Sequence, residues 1–238
     1  LCAARRAGLE ESEFSWSLQK SLINRALVAL KAPDHGIWEI RGEPQMFTHS
    51  RVMIWAALDR AIEGAKTLGE DCQRWTSARD ELRAEIETSA VSSEGYFTQY
   101  YGSTEVDASL LLLPQVDFCE ANDPRMLATV TQIEKTLMQD GLVNRYLTES
   151  GVDGISGTEN PFLACSFWLV EQYATTGRTS EAEALLDRLC SLTNDVGLLS
   201  EEYDVANSRQ VGNMPQAFSH LALVRAVDAL SQTEHRSR

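Results

Sequence analysis

Residues 161–174 read PFLACSFWLVEQYA, and this stretch is apolar on nearly every side of a helix. Between Phe162 and Val170 the only polar residue is Ser166. A helix without a polar face is stable only when neighbouring elements cover it on most sides. Three further segments share this character: residues 50–66, 107–113 and 214–230. These four segments are predicted to be the inner helices of an all-α fold.

Four other segments are amphipathic and are predicted to be outer helices. In residues 11–31, Phe14, Leu18, Leu22 and Ala26 recur at every fourth position, which is the spacing of one apolar stripe on a helix. Such a stripe is expected to face the core while the charged face lies in water. The other three outer segments are residues 70–91, 123–139 and 180–192. Outer and inner helices therefore alternate four times along the chain.

The lengths of the connections indicate where a site would lie. Links from an inner to the next outer helix are short or plain, whereas links from an outer to the next inner helix are long. Long loops inside a compact domain are usually functional. If outer and inner helices run antiparallel, the long loops emerge at one end, as in an α/α-toroid with a binding face. The alternative is an open α-solenoid, but no sequence period links the pairs. The long loops are residues 32–49, 92–106, 140–160 and 193–213.

Composition excludes several classes of partner. The 238 residues include 21 Lys and Arg against 35 Asp and Glu, so the formal net charge is −14. Binding to nucleic acid or to an anionic membrane surface is disfavoured, because such binding needs a basic surface. The longest apolar run, residues 52–58, is far shorter than the roughly 20 residues of a membrane span. A soluble domain is predicted.

Cysteine and histidine spacing predicts neither a disulfide framework nor a metal site. The five cysteines form no CxxC pair, which favours reduced thiols in the cytoplasm. The four histidines have no ligand-like spacing, so a metal is not expected. The sequence shows no positively charged segment followed by an apolar one at its start, so a secretory signal is not expected. We therefore expect a cytoplasmic protein without a cofactor.

The long loops combine aromatic residues with carboxylates. Residues 35–45 read HGIWEIRGEPQ, residues 96–102 YFTQYYG, residues 153–160 DGISGTEN and residues 199–204 LSEEYD. Aromatic faces can stack on the C–H faces of a sugar ring, and carboxylates can accept hydrogen bonds from its hydroxyl groups. A pair of carboxylates is also what glycoside hydrolysis requires. Composition alone leaves open whether any one of these carboxylates is merely solvated.

Five segments resemble family 15 glycoside hydrolases, the glucoamylase family, whose bacterial members include trehalases. GIWEIRG at 36–42 and LSEEYD at 199–204 resemble its two catalytic segments. GSTEVDAS at 102–109, FLACSFW at 162–168 and NMPQAFSH at 213–220 resemble its bacterial branch. The resemblance extends from about Trp16 to Leu230. It implies an (α/α)6 barrel and an inverting mechanism.

The resemblance also implies residue roles. Glu39 aligns with the general acid, and Glu201, rather than Glu202, aligns with the general base. Inversion needs the two carboxyl groups about 6.5–9.5 Å apart. The residues expected to bind substrate are Trp38, Arg41, Glu159 and Tyr203. The alternatives are that Trp38 fills the core, that Arg41 only holds its loop through a salt bridge and that Tyr203 is structural.

Four helix pairs are fewer than the six of a complete barrel. Residues 1–238 are therefore expected to be the C-terminal portion of a single catalytic domain whose N-terminal helices and β-sandwich are absent. The implied function is exo-acting, inverting hydrolysis of α-glucosides of the glucoamylase type, releasing glucose from α-glucan ends without a cofactor. Trehalase activity is the first alternative, and a catalytically incomplete fragment or a helical interaction domain is the second. The expected partners are a small carbohydrate and the missing N-terminal part of the parent chain.

Overall fold

A computed structural model describes residues 2–148 and 159–236, and this part of the chain is mostly helical. Its secondary structure consists of α-helices, two short 3₁₀ helices and two small hairpins. The α-helices are α1 (Cys2–Arg6), α2 (Glu13–Ala29), α3 (Thr48–Leu68), α4 (Gln73–Ser89), α5 (Pro124–Thr136), α6 (Leu163–Thr175), α7 (Thr179–Ser191) and α8 (Ala217–Arg236). The short helix α1 was not predicted from the sequence.

The predicted inner helices are confirmed for α3 and α6, but not for α8, which among its described side chains buries only Ser219, Ala222, Ala226 and Leu230. Eleven of the thirteen residues of α6 are buried, and α6 packs against both α7 and α8. The other long inner helix, α3, packs between α2 and α4. By contrast, α4, α5 and α7 each bury only three or four residues on one side. For α3 to α7 the hydrophobic pattern therefore predicts the layer.

The second inner segment differs from the prediction. Instead of an α-helix over residues 107–113, the chain forms a 3₁₀ helix at Ala108–Leu112 and another at Pro114–Val116. Asp107 caps the first one by accepting a hydrogen bond from the Ser109 backbone N–H. Leu113 keeps α dihedral angles, φ −56° and ψ −46°, and Pro114 begins the second 3₁₀ helix, where a missing N–H is tolerated. The leucines at 110, 111 and 113 are nevertheless fully buried.

Two hairpins were not predicted from the sequence. In the first, β1 (Met138–Gln139) pairs with β2 (Leu142–Val143) around Asp140 and Gly141, which both have positive φ, 48° and 77°. Asp-Gly at both central positions is the signature of a two-residue hairpin turn. The predicted helix therefore ends at Thr136 rather than at 139. In the second hairpin, β3 (Glu202–Asp204) pairs with β4 (Arg209–Val211).

The expected core-facing stripe of α2 is wrong for the described part of the chain. Phe14 is 81% exposed and Leu22 57% exposed, whereas Trp16 and Ile23 are buried. The buried side chains of α2, Trp16 and Ile23, belong to the core cluster, and the Trp16 ring packs edge-on against Trp75 of α4. Helix α8 likewise exposes apolar residues, at Leu221, Val224 and Val227. The first and last long helices therefore each present an uncovered apolar face.

Backbone bonds join the long loops in chain order, which confirms that these loops meet at one end. Phe47 and Tyr100 form a bridge between the first and second loops, and Asp107 and Tyr146 form one between the second and third. Phe162, at the start of α6, bridges to Glu202 in the fourth loop. Within the described residues, no helix is long and apolar enough to cross a membrane.

Candidate active site

A tight turn before α3 carries the predicted general acid. The Asp34 carboxylate accepts hydrogen bonds from the Gly36 backbone N–H at 2.6 Å and from the Ser50 hydroxyl at 2.8 Å. Asp34 and Gln45 also exchange two backbone hydrogen bonds of 2.9 Å. Gly36 has a φ of 68°, and a Cβ there would lie 3.1 Å from the Phe47 ring. This position therefore requires glycine both for its backbone conformation and for space.

Glu39 sits at the end of this turn in the left-handed region, with a φ of 49°. Non-glycine residues adopt this conformation rarely, and residues that do so cluster at functional sites. On either side, Trp38 is half-buried and Ile40 is only 4% exposed. Glu39 itself is exposed, so its carboxyl group is accessible to a ligand while its neighbours anchor the loop.

Trp38 is held by contacts from two other loops. Its indole N–H donates a 2.8 Å hydrogen bond to the Asp107 carboxylate, and its ring packs edge-on against Phe162 at 5.5 Å between centroids. The Trp168 ring lies 6.1 Å away. Trp38 is half-buried, so part of its ring packs on the core and the rest is accessible.

Asp107 is a buried anchor that the sequence did not identify as functional. Besides Trp38, it accepts hydrogen bonds from the Ser109 backbone N–H at 2.6 Å and from the Gln99 side chain at 3.3 Å. Burial raises the pKa of Asp107, and these hydrogen bonds oppose that change. The carboxylate thereby connects the first loop, through Trp38, to the second loop.

Arg145 is the second residue that sequence reasoning missed, and it connects the third loop to the first and fourth loops. Its guanidinium carbon lies 5.7 Å from the Trp38 ring centroid, within range of a cation–π contact. The same group forms ion pairs with Glu159 and, at 3.5 Å, with Glu202. The sequence gives no signal for Arg145, because all three partners come from distant positions.

Two polar atoms of this cluster have no partner among the residues that the structure describes. They are Arg145 Nε and Glu159 Oε2, and both are buried. Buried polar atoms in folded proteins are nearly always hydrogen-bonded. Residues 149–158, which include the predicted loop segment from Asp153 to Thr158, lie outside the described residues.

The adjacent acids Glu201 and Glu202 have different partners. Glu201 Oε2 accepts hydrogen bonds from the Asn213 backbone N–H at 3.0 Å and from the Asn213 side-chain amide at 2.9 Å. Glu202 instead faces Arg145. Burial raises the pKa of Glu202, and Arg145 and Asn160 oppose that change. The two neighbours therefore point to different surroundings, as expected for successive residues of an extended strand.

The remaining predicted site residues are placed less centrally. Arg41 is exposed, and no hydrogen bond or ion pair joins it to another residue among those that the structure describes. Tyr203 is half-buried and packs against the core. Trp38, Glu159 and Glu202 meet around Arg145, and Glu201 follows in the chain.

The site contains no obvious metal centre. Within residues 2–148 and 159–236, no group of three His, Cys, Asp or Glu side chains could hold a metal ion. The described part of the site consists of exposed and half-buried carboxylates, at Glu39, Glu159 and Glu202, together with the packed aromatic rings of Trp38 and Phe162. Chemically, it can stack on an apolar ring face, bind hydroxyl groups and exchange protons.

Comparison with solved structures identifies the fold. A bacterial glucoamylase complexed with acarbose superposes with a TM-score of 0.75 at 16% identity, over 92% of this chain and 38% of that one. A structure described as wild-type glycosidase superposes with a TM-score of 0.70 at 19% identity, over 85% of this chain and 57% of that one. The fold is that of the (α/α)6 barrel, of which the described elements supply four outer–inner pairs.

Curated relatives have trehalase names. The chain is 42% identical to a trehalase of Mycolicibacterium smegmatis over 93% of this chain and 34% of the relative. It is 43% identical to a trehalase of Mycobacterium tuberculosis and 38% identical to one of Thermoplasma volcanium. These two matches cover 93% and 95% of this chain, but only 33% and 37% of the relatives. It therefore covers about a third of their length.

A sequence profile connects these observations. The profile of the glycosyl hydrolases family 15 matches residues 1–228, which include every loop of the candidate site. The resemblance of the five motifs is thus confirmed over nearly the whole chain, and the chain belongs to glycosyl hydrolases family 15.

Proposed function

We propose that the protein containing this chain hydrolyses α,α-trehalose with inversion at one anomeric carbon. The observation that carries this proposal is the convergence of the long loops, in which Arg145 contacts Trp38 and Glu202, the chain neighbours of the two candidate catalytic residues. The trehalase names of the relatives support this substrate. They favour the alternative considered from the sequence over the release of glucose from α-glucan ends.

In the proposed reaction, Glu39 is the general acid and Glu201 is the general base. Glu39 donates its proton to the oxygen that joins the two glucose units, and the bond from the first anomeric carbon to this oxygen breaks. Glu201 accepts a proton from the water that attacks this carbon on the opposite face. The products are one β-glucose, formed by the attack, and one α-glucose, whose own anomeric carbon is unchanged.

The proposed binding roles follow from exposure and contacts. Trp38 offers the part of its ring that does not pack on Phe162 as a wall of the sugar pocket. Glu159 and Arg145, both with an unpaired buried atom in the described part of the chain, are placed to bind hydroxyl groups. Arg41 is exposed, so it can turn towards a ligand. Tyr203 is proposed to support the strand that carries the base.

We further propose that activity belongs to the full-length protein, in which more of the barrel surrounds the pocket. Two observations support this. The chain covers about a third of its trehalase relatives, and α2 and α8 each expose an apolar face. The cytoplasmic location and the absence of a cofactor remain predictions.

A rate comparison on three substrates tests the proposal. The full-length protein should hydrolyse trehalose with a far higher kcat/KM than maltose or soluble starch. A preference for maltose or starch favours the glucoamylase-type function. Glucoamylase is also the name of the acarbose-bound structural relative, with which this chain shares its fold. No hydrolysis of any of the three, by a folded protein, favours the interaction-domain alternative.

A further inference from the structure

The β3–β4 hairpin places Gly212 and Asn213 directly beside Glu201. Glu202 pairs with Val211, and continuing this register by one residue sets Gly212 opposite Glu201. The Glu201 backbone N–H donates to the Asn213 carbonyl at 2.9 Å. The hairpin therefore fixes these three residues relative to one another through the backbone alone.

Asn213 binds the Glu201 side chain with two donors. Its backbone N–H lies 3.0 Å from Glu201 Oε2, and its side-chain Nδ2 lies 2.9 Å from the same oxygen. Hydrogen bonds to an ionised carboxylate are among the strongest in proteins. Because both bonds fall on Oε2, they fix the rotation of the carboxylate and determine the direction of Oε1.

Gly212 supplies the space into which this carboxylate fits. A Cβ at position 212 would lie 2.8 Å from Glu201 Oε2 and 3.0 Å from Glu201 Cβ, and Gly212 has a φ of 77°. A side chain at this position would displace the carboxyl group. The two donors of Asn213 and the space left by Gly212 therefore all lie next to Glu201 Oε2.

We propose that Asn213, together with Gly212, positions the general base so that Glu201 Oε1 accepts the proton from water. This inference rests on the proposed function, because it assumes that Glu201 is the base. Asn213 is a positioning residue, since it acts through Glu201 and not on the sugar. Asn213 is exposed, so its side-chain amide has little role in packing the fold.

Steady-state kinetics of Asn213 variants give the first test. Asn213→Ala in the full-length protein keeps the backbone donor and removes Nδ2. We expect kcat on trehalose to fall by roughly 10- to 100-fold, the effect of one hydrogen bond to a charged group, with KM unchanged. Asn213→Asp has nearly the same shape but sets a carboxylate against Glu201, so its loss should be larger. A kcat within twofold of wild type for both variants would overturn the inference.

A double-mutant comparison separates positioning from general damage. In Glu201→Ala, added azide should partly restore turnover by replacing the activated water. Because the carboxylate is then absent, adding Asn213→Ala should cause no further loss in the azide reaction. An equal loss in the wild-type and Glu201→Ala backgrounds would mean that Asn213 acts independently of Glu201 and would overturn the inference.

Gly212→Ala tests the space requirement, with Gly197→Ala as its matched control. Gly197 also has a positive φ, 78°, but a Cβ there meets nothing within 4 Å. Gly212→Ala should lose more thermal stability than Gly197→Ala, because only its added Cβ meets Glu201. At a temperature at which both variants stay folded, only Gly212→Ala should lose kcat. If both lose kcat equally, the inference fails. Full activity of Glu201→Ala without azide is a different result, because it overturns the proposed base and the inference with it.

Discussion

Glu39 and Glu201 are held by different means. The left-handed backbone of Glu39 turns it outward between Trp38 and Ile40, whereas Glu201 is fixed by two hydrogen bonds from Asn213. A base must keep one oxygen aimed at a water molecule, while an acid must reach the oxygen that joins the two sugars. Firm anchoring of the base and an exposed acid fit these separate tasks.

The role of Glu39 as acid predicts the behaviour of Glu39→Gln. A glutamine keeps the size and the hydrogen-bonding capacity but has no proton to donate, so the effect should fall on the transition state. We expect kcat on trehalose to drop by about 10²- to 10⁴-fold, with little change in trehalose binding measured by calorimetry. An unchanged kcat would show that Glu39 is not the acid.

The adjacent pair Glu201 and Glu202 gives a second prediction. Glu202 faces Arg145 and not Asn213, so Glu202→Ala should weaken the Arg145 cluster and keep much more turnover than Glu201→Ala. Activity rescue by azide should occur only for Glu201→Ala, since only there is an activated water replaced. Azide rescue of Glu202→Ala instead would mean that the two roles are exchanged.

Individual site residues could be predicted from the sequence only where a local motif marks them. Glu39 and Glu201 lie in short segments that resemble a known family, and Glu202 turns away from Glu201 as strand geometry predicts. Arg145, Asp107 and Asn213 carry no such mark. Arg145 and Asp107 contact Trp38, which lies 107 and 69 positions away from them in the sequence. Asn213 contacts Glu201, which lies 12 positions away. Only the closed arrangement of the loops brings these atoms together.

The turn that carries the acid is one structural element that can be tested separately. Gly36→Ala adds a Cβ 3.1 Å from the Phe47 ring at a φ of 68°. Gly95→Ala is the control, because Gly95 has a φ of 86° with open space around it. Both should lose about 1 kcal/mol from backbone strain, and Gly36→Ala about 1–3 kcal/mol more from overpacking. Urea unfolding measures both, and equal losses would contradict the tight packing.

The start of α3 should make stability depend on pH. Burial lowers the pKa of His49 from 6.5 to about 4, and the nearby Asp34 opposes this change. Unfolding exposes the imidazole, which then binds a proton below its ordinary pKa. The stabilising effect of neutral His49 is thus present above pH 6.5 and is lost as the pH falls towards 4.

His49→Gln isolates this contribution. Glutamine does not titrate, so the stability difference between wild type and variant should shrink by on the order of 2 kcal/mol between pH 7 and pH 4. Chemical unfolding at a series of pH values measures this. A difference that stays constant across the range would show that His49 titrates normally in the folded protein.

Helices and strands were predicted well from the sequence where a long hydrophobic pattern determines the structure. They were predicted poorly where a few residues determine the type of helix or the position of a turn. The uniform apolar character of α6 and the single stripes of α5 and α7 follow from sequence periodicity. The hydrophobic pattern does not distinguish the 3₁₀ helix Ala108–Leu112, which Asp107 caps through the Ser109 backbone N–H, from an α-helix. The Asp140–Gly141 turn was visible in the sequence but was outweighed by the helical pattern before it.

At the scale of the whole molecule, the two uncovered apolar faces have a measurable consequence. Phe14 and Leu22 on α2, and Leu221 and Val224 on α8, are each more than half exposed. Apolar surface of this kind binds other apolar surface. Residues 1–238 expressed alone should therefore self-associate and bind a hydrophobic dye, and Leu221→Ser with Val224→Ser should weaken both effects. A monodisperse monomer without dye binding would contradict this.

The central claim is that this chain supplies an inverting acid–base pair that acts on trehalose. The most direct measurement is time-resolved proton NMR of the full-length protein with trehalose, recorded before the released glucose mutarotates. We expect α- and β-glucose to appear in equal amounts from the first time points, and both to appear about 10²- to 10⁴-fold more slowly with Glu39→Gln. Release of α-glucose alone would indicate retention, and would contradict the roles assigned to Glu39 and Glu201.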